Sequence, residues 1–473
     1  MRHMLLSSAL ALLCPVAAHS AVRLPAMMTD HLVLQQNAQV RLWGQADGRQ
    51  VSVTTSWDGR TYTAKPDADG NWSVSVGTPA AGYTPYEITI TDGDAPARIS
   101  DVLVGEVWVC SGQSNMEMAM KGFPAQPVEG AMDALMGATA YRDKVRFITV
   151  PKTTDATLRR DFEGQWAAAS PDTAPDCSAV AYFYGTQLAD ALDVPVGLVI
   201  TNWGGSAMES WMSPQTLADF GFAVPADDAS KPFQHQCSTL YNSMLSPVIG
   251  YGARGFIWYQ GESNLHNSSI YAELQRAMVD EWRTEWGNAE MPFYYVLIAP
   301  YNYTNPDGFE AALVREQQVR ALDIIPHSGI AGTLDIGEPG CIHPAKKRPV
   351  SQRLAALALS KTYGMTRLPA EAPRMSDVEL QDSVAIVTFG NVGNGLTPLY
   401  GPVAGFEVAG ADGVFHPAKA HCMNRGNRVR VWADEVKEPK YVRYGFRNYT
   451  GELNLKDTTG NSALPFRTDD FKE

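Results

Sequence analysis

The chain has 473 residues, 45% of them hydrophobic and 19% charged, enough apolar material for more than one ordinary core, which excludes disorder as its main character. Its 38 basic and 51 acidic residues leave a net charge of −13, which argues against holding nucleic acid or an anionic membrane by bulk charge. The 40 Gly, 30 Pro, 11 Trp and 19 Tyr suit a turn-rich protein with much β structure and exclude a coiled coil or a solenoid.

Residues 1–20 read as a cleavable secretory signal. Arg2 and His3 precede the apolar run from Met4 to Val16, and the small residues Ala17, Ala18 and Ser20 follow it. That run is too short to span a bilayer, and no later window approaches the roughly 18 to 20 apolar residues a membrane helix needs. The expectation is a secreted or periplasmic protein with no membrane insertion after signal cleavage.

Residues 21–100 alternate apolar and polar side chains in short stretches such as Val40 to Trp43, Val51 to Thr55 and Trp72 to Val76, split by Asp58-Gly59 and Asp69-Gly70. This texture predicts a β-rich accessory region resembling a jelly roll or sandwich. Residues 101–365 differ, since short apolar strands alternate there with helical stretches. Strands are predicted at Val104–Cys110, Val196–Thr201, Gly255–Tyr259, Phe293–Ala299 and Gly329–Asp335, and helices around Ser178–Leu192, Ile270–Trp286, Ala311–Ala321 and Pro349–Tyr363. Such alternation gives an α/β fold, a parallel sheet between two helical layers. Residues 366–473 return to the β-rich pattern.

Beyond Cys14, the cysteines are Cys110, Cys177, Cys237, Cys341 and Cys422. An odd number leaves at least one outside any intrachain pair, and the spacing matches neither a zinc site nor a dense disulfide framework. Cys177 with Cys237 is one pairing the count allows.

Ligands of open α/β sheets bind beyond the carboxyl ends of the strands, so the loops there are where chemistry is sought. The first carries Ser111-Gly112-Gln113-Ser114-Asn115 into a helix, where a serine hydroxyl stands beside helix-start N–H groups able to hold an oxyanion; the same pattern also suits a plain N-cap. The second carries Asn202-Trp203-Gly204-Gly205-Ser206 and the third Gln260-Gly261-Glu262-Ser263-Asn264. Paired glycines allow close backbone approach, and an asparagine amide is a neutral donor suited to a developing negative oxygen. The fourth runs from Asp335 through Glu338 to Cys341-Ile342-His343-Pro344, and a histidine there suits a general base. Glu262 and His266 lack a third ligand, so no metal site is expected.

The four segments GQSNMEM at 112–118, TNWGGSAMESWMSP at 201–214, WYQGESN at 258–264 and IHP at 342–344 together resemble the blocks of the SGNH-type esterases, and closely those of the sialate O-acetylesterase family of carbohydrate esterases. LVLQQ at 32–36, VLVGEVWVCSGQSNM at 102–116 and VRYGFRNY at 442–449 extend the likeness over nearly the whole mature chain. The resemblance implies an SGNH-hydrolase-like three-layer α/β/α domain and a cofactor-independent esterase acting on an acetylated carbohydrate. Ser114 would be the nucleophile and His343 the base. The Ser114 and Gly205 N–H groups and the Asn264 side chain would be the oxyanion donors.

SGNH enzymes commonly carry an acid three residues before the histidine, and here that residue is Gly340. Asp335 is the favoured orienting acid, with Glu338 or no acid as the alternatives. Gln260, Glu262 and Trp211 are expected to bind substrate, and Trp203, Tyr301 and Tyr303 are further aromatic candidates. Two other functions suit the same architecture: a sugar-binding protein without catalysis, and a lipid or peptide hydrolase.

Overall fold

The computed structural model describes residues 22–93, 96–224, 232–423 and 426–471, so the predicted signal lies outside the described residues. The parallel strands run, across the sheet, in the order Ser328–Ala331, Phe293–Val296, Gly255–Tyr259, Ala97–Gly112, Val196–Asn202 and Val145–Thr149, with Ala167–Ala168 antiparallel at the edge. Alternate residues of the strand Ala97–Gly112 enter opposite cores: Val107 and Val109 join one, Trp108 and Cys110 the other. A strand buried on both faces must be apolar throughout, which explains the continuous run VWVC.

Two helical layers cover these faces. Ala179–Leu192, N-capped by the Ser178 hydroxyl on the Ala181 N–H, packs with Lys347–Leu357 on one side. Tyr271–Glu285 and Glu310–Ile324 lie on the other. The α/β/α architecture anticipated from the sequence is therefore present, with β-rich parts at both ends.

Some elements differ in extent. The strand Val145–Thr149 was not expected, and pairs along Val196–Asn202. The last helix is regular over Lys347–Leu357 and continues as the wider turn Ala358–Thr362. The strands expected to reach Ala299 and Asp335 end at Val296 and Ala331, because the chain beyond them leaves the ladder to build loops.

The expected boundary at residue 100 falls inside the strand Ala97–Gly112. Its first half pairs with Gly82–Thr91 and Val33–Gln35, and its second half with the central sheet. Buried Glu106 locks this junction, accepting from Arg254 at 2.8 Å, Gln35 at 3.1 Å, Gln36 at 2.7 Å and Tyr363 at 2.9 Å. The C-terminal region holds two four-stranded antiparallel sheets, joined through Phe389, Phe406 and Phe466, and a two-stranded one that pairs Leu396–Thr397 with Lys456–Asp457. Cys177 is a buried thiol with no disulfide, so the pairing with Cys237 is not formed. No helix among the described residues is long and apolar enough to cross a membrane.

Asp335 belongs to the seam between the C-terminal sandwich and the central layer. Its carboxylate receives Arg353 at 2.8 and 2.7 Å and Lys456 at 2.7 Å, and both Asp335 and Arg353 are buried. Burial pushes the Asp335 pKa up, but the hydrogen bonds and charges of Arg353 and Lys456 outweigh it and hold the group below the usual carboxylate range. The stabilisation is therefore present above the unfolded pKa of about 3.9 and is lost as pH falls through the folded value. Asp335→Ala strands the Arg353 guanidinium and should cost about 3–5 kcal/mol in urea unfolding.

Candidate active site

Chain order and sheet order reverse at the strand Ala97–Gly112: the chain first builds to one side of it, with Val145–Thr149 and Val196–Asn202, and then to the other, with Gly255–Tyr259. This is a topological switch point, where the loops of neighbouring strands part and leave a crevice. Ser114 leaves it as the first residue of the short helix Ser114–Glu117.

Backbone contacts stitch three loops together there. Gly112 has φ +141°, and a Cβ at that position would sit 2.2 Å from the Tyr259 carbonyl oxygen, so only glycine fits. Trp203 N–H donates to the Gly112 carbonyl at 3.1 Å, and Gln113 N–H to the Tyr259 carbonyl at 2.9 Å. The Gln113 side-chain oxygen accepts from the Gly261 and Ser263 N–H groups at 3.1 and 3.3 Å. A Cβ on Gly204 would lie 3.2 Å from Ser114 Cβ, so the glycine pair abuts the serine directly. Gly204 N–H donates to Glu117, which also pairs with Lys152. The Ser114 and Gly205 N–H groups have no hydrogen-bond acceptor among the described residues.

The fourth loop is tied to the same cluster. Asn115 Nδ2 donates to the Ile342 carbonyl at 3.1 Å and to Glu262 Oε1 at 2.7 Å, while Lys347 Nζ donates to Asn115 Oδ1 at 2.5 Å. These three side chains form a buried polar layer beneath the loops. Burial raises the Glu262 pKa and lowers that of Lys347 to about 7. Next to this layer, His343 packs edge-on to Phe123, with ring centroids 5.2 Å apart.

His343 Nδ1 lies 2.7 Å from Gln126 Oε1. An amide oxygen only accepts, so Nδ1 carries the proton and Nε2 is the basic nitrogen. Burial, with the Lys347 charge added, lowers the His343 pKa to about 4, with Glu117 acting weakly in the opposite sense. A neutral imidazole with a free Nε2 is therefore the resting form at neutral pH.

Several expected site residues stand elsewhere. Asp335 is committed to Arg353 and Lys456, and Glu338 accepts the Ala345 N–H at 2.8 Å, so neither acid orients His343; a neutral amide does. Asn264 is fully buried, with its amide donating to Glu209 at 2.8 Å and to Asn267 at 3.1 Å, and its oxygen accepting from Met208 N–H and Gln260. It thus braces the loop that follows Gly205 and offers no amide hydrogen to the crevice.

Gln260 is buried between Ser206, Asn264 and Tyr271, and Trp211 donates to the Ser206 hydroxyl inside the core, so neither meets a sugar. Glu262 is likewise buried on Asn115. Trp203, Tyr301 and Tyr303 keep partial exposure. Gln126, Glu117, Lys152 and Lys347 were not anticipated. Gln126 lies in the loop after the serine helix, far from His343 in sequence, and no spacing rule links the two. No group of three or more His, Cys, Asp or Glu among the described residues could hold a metal ion.

Removing the Gln126 acceptor frees the imidazole to turn, and Gln126→Ala should lower kcat/KM on an acetyl ester about tenfold or more. Because His343 must be neutral to accept a proton, kcat/KM should fall on the acid side with an apparent pKa near 4, below the ordinary histidine range. Gln126→Glu places a carboxylate on Nδ1, stabilises the imidazolium and should move that acid limb to higher pH. An unmoved limb in the pH–rate profile would show that Gln126 does not govern the histidine.

Residues 104–343 match the family model described as carbohydrate esterase, sialic acid-specific acetylesterase. Sialate O-acetylesterases from Pongo abelii and Homo sapiens are 29% and 28% identical over 399 residues, covering 76% of this chain and 74% of theirs. The crystal structure of a carbohydrate acetylesterase from Xanthomonas citri matches with a TM-score of 0.86 at 34% identity, covering 95% of this chain and 100% of that one. The chain therefore belongs to the sialic acid-specific acetylesterase family of carbohydrate esterases and is a carboxylic ester hydrolase.

Proposed function

We propose that this protein is an exported serine esterase that removes O-acetyl groups from carbohydrates through an acetyl-serine intermediate. The observation that supports the reading is the tie, through Asn115, between the loops that bear Ser114 and His343. The serine opens a helix at the switch point, and the Asn115 amide 3.1 Å from the Ile342 carbonyl ties its neighbour to that of the histidine. In this mechanism His343 Nε2 takes the Ser114 proton as Oγ attacks the acetyl carbonyl carbon. The Ser114 and Gly205 N–H groups receive the negative oxygen of the tetrahedral intermediate. Collapse expels the sugar oxygen, which takes the proton from Nε2. Water, deprotonated by the same nitrogen, then attacks the acetyl-serine, and acetate leaves as Oγ regains its proton.

Export rests on the charged, apolar, small-residue order of residues 1–20. The candidate substrates are O-acetylated sialic acids and acetylated xylan or xyloglucan. The domains of the proposal are the esterase core over 101–365 and β-rich accessory regions over 21–100 and 366–473.

The test is acetate release from O-acetyl sialic acids, acetylated xylo-oligosaccharides and acetylated xyloglucan by the wild type and by Ser114→Ala. The expected result is release from one sugar class by the wild type and loss of at least about 10³-fold in Ser114→Ala, since removing a nucleophile leaves only oxyanion and binding contributions. Equal turnover by the variant would overturn the acetyl-serine route.

A further inference from the structure

Lys347 is the first residue of the helix Lys347–Leu357, four residues beyond His343, and it is only 1% exposed. An ammonium in such a place has lost its hydration and needs partners within the protein. Among the described residues no carboxylate comes within ion-pair distance of it. Its Nζ donates to Asn115 Oδ1 at 2.5 Å and stands over the Tyr259 ring, 5.9 Å from the centroid. Glu262, the acid of the same buried layer, is linked to it through Asn115, whose Nδ2 donates to Glu262 Oε1 at 2.7 Å. The acetyl transfer proposed for Ser114 and His343 has no step that uses this cation.

The partners of Asn115 fix which way its amide points. An ammonium only donates and a carbonyl only accepts, so Oδ1 faces Lys347 while Nδ2 faces Glu262 and the Ile342 carbonyl, the latter at 3.1 Å. Turned by half a rotation, the amide would set its N–H groups against the ammonium and its oxygen against the carbonyl. The lysine therefore locks the amide at one end, and the other end holds the residue before His343. Asn115 itself follows Ser114 in the helix Ser114–Glu117. One side chain thus spans from the neighbour of the nucleophile to the neighbour of the base, and its direction is set by Lys347. The titratable groups around Lys347 are Glu262, Cys341 and Glu338, and the charges acting on the imidazole are Lys347 and Glu117.

We infer that Lys347 is a positioning residue of the esterase reaction: through the Asn115 amide its ammonium holds the histidine loop in register with the serine helix. The same charge opposes a second proton on the imidazole, against the weaker pull of Glu117, and so favours the neutral ring that can act as a base. Lys347 touches neither the ester nor the reacting atoms and acts through Asn115 and His343. The inference rests on the reading of Ser114 as nucleophile and His343 as base.

The experiment follows acetate release from 4-nitrophenyl acetate by the full chain between about pH 3 and 8, for the wild type, Lys347→Met and Asn115→Asp. Methionine keeps the length of the lysine stem without its charge or its donors. Lys347→Met should lower kcat about tenfold or more with KM nearly unchanged, because the reacting groups lose their register while ester binding does not. Its acid limb should also move up by about one pH unit, since the cation facing the imidazole is gone. Asn115→Asp keeps the shape and an acceptor for Lys347 but offers no hydrogen to the Ile342 carbonyl. It should lower kcat to a similar degree, and it carries the test should Lys347→Met fail to fold. An unchanged kcat in both variants, a change confined to KM, or a loss in Lys347→Met with an unmoved acid limb would overturn the inference, the last because packing alone would then account for it. Failure of the reading beneath it is distinguishable, since it appears as wild-type turnover in Ser114→Ala.

Discussion

The site depends on one close approach: the backbone at Gly112 against the carbonyl of Tyr259. With 2.2 Å available to a would-be Cβ, any side chain there would push apart the strands Ala97–Gly112 and Gly255–Tyr259 at the end where the sheet must open. The same peptide accepts from Trp203, and the next residue donates to Tyr259, so three loops take their positions from a two-residue stretch. Ser114 follows immediately and inherits that rigidity. A side chain on a turn held by backbone hydrogen bonds loses little freedom on taking up one geometry.

Beneath the loops, the structure keeps its charges apart. Asp335, Arg353 and Lys456 fasten the C-terminal sandwich to the central layer, so the acid nearest in sequence to the histidine is used for assembly. The histidine instead has a neutral acceptor in Gln126 and a cation, Lys347, nearby. A carboxylate on Nδ1 would favour the imidazolium strongly, whereas an amide fixes the tautomer and leaves the ring neutral. A buried aspartate commonly supplies orientation and electrostatic stabilisation together, whereas the Gln126 amide fixes the tautomer and carries no charge.

The β-rich ends are continuous with this framework. The strand Ala97–Gly112 serves the N-terminal ladder with its first half and the esterase sheet with its second, and Glu106 cross-links Gln35, Gln36, Arg254 and Tyr363 at the handover. At the other end Arg467 meets Glu316 at 2.7 Å and Asn448 accepts the Ala311 N–H at 2.9 Å, so the sandwich grips a core helix directly. Movement of either end would therefore be felt by the sheet whose ends carry the loops.

The sequence by itself determined the layered α/β core and the four loops, because those features are local. Runs such as VWVC and GFIWY can only be strands buried on both faces, and a glycine before a serine at a strand end marks a turn whatever surrounds it. It also put Ser114 and His343 on those loops, where a serine equally suits a plain N-cap. What a long side chain does with its polar atoms was decided only by the tertiary structure. Asp335 was the favoured orienting acid and Gln126 was not anticipated; in the fold Arg353 and Lys456 reach Asp335 from a helix and from the C-terminal strands, and Gln126 reaches the imidazole. Asn264, Gln260 and Trp211 looked like site residues, but packing turned them inward, Gln260 onto Asn264, Asn264 onto Glu209 and Trp211 onto Ser206. Hydrogen-bond partners distant in sequence carry no periodicity, and the folded chain alone brings them into reach.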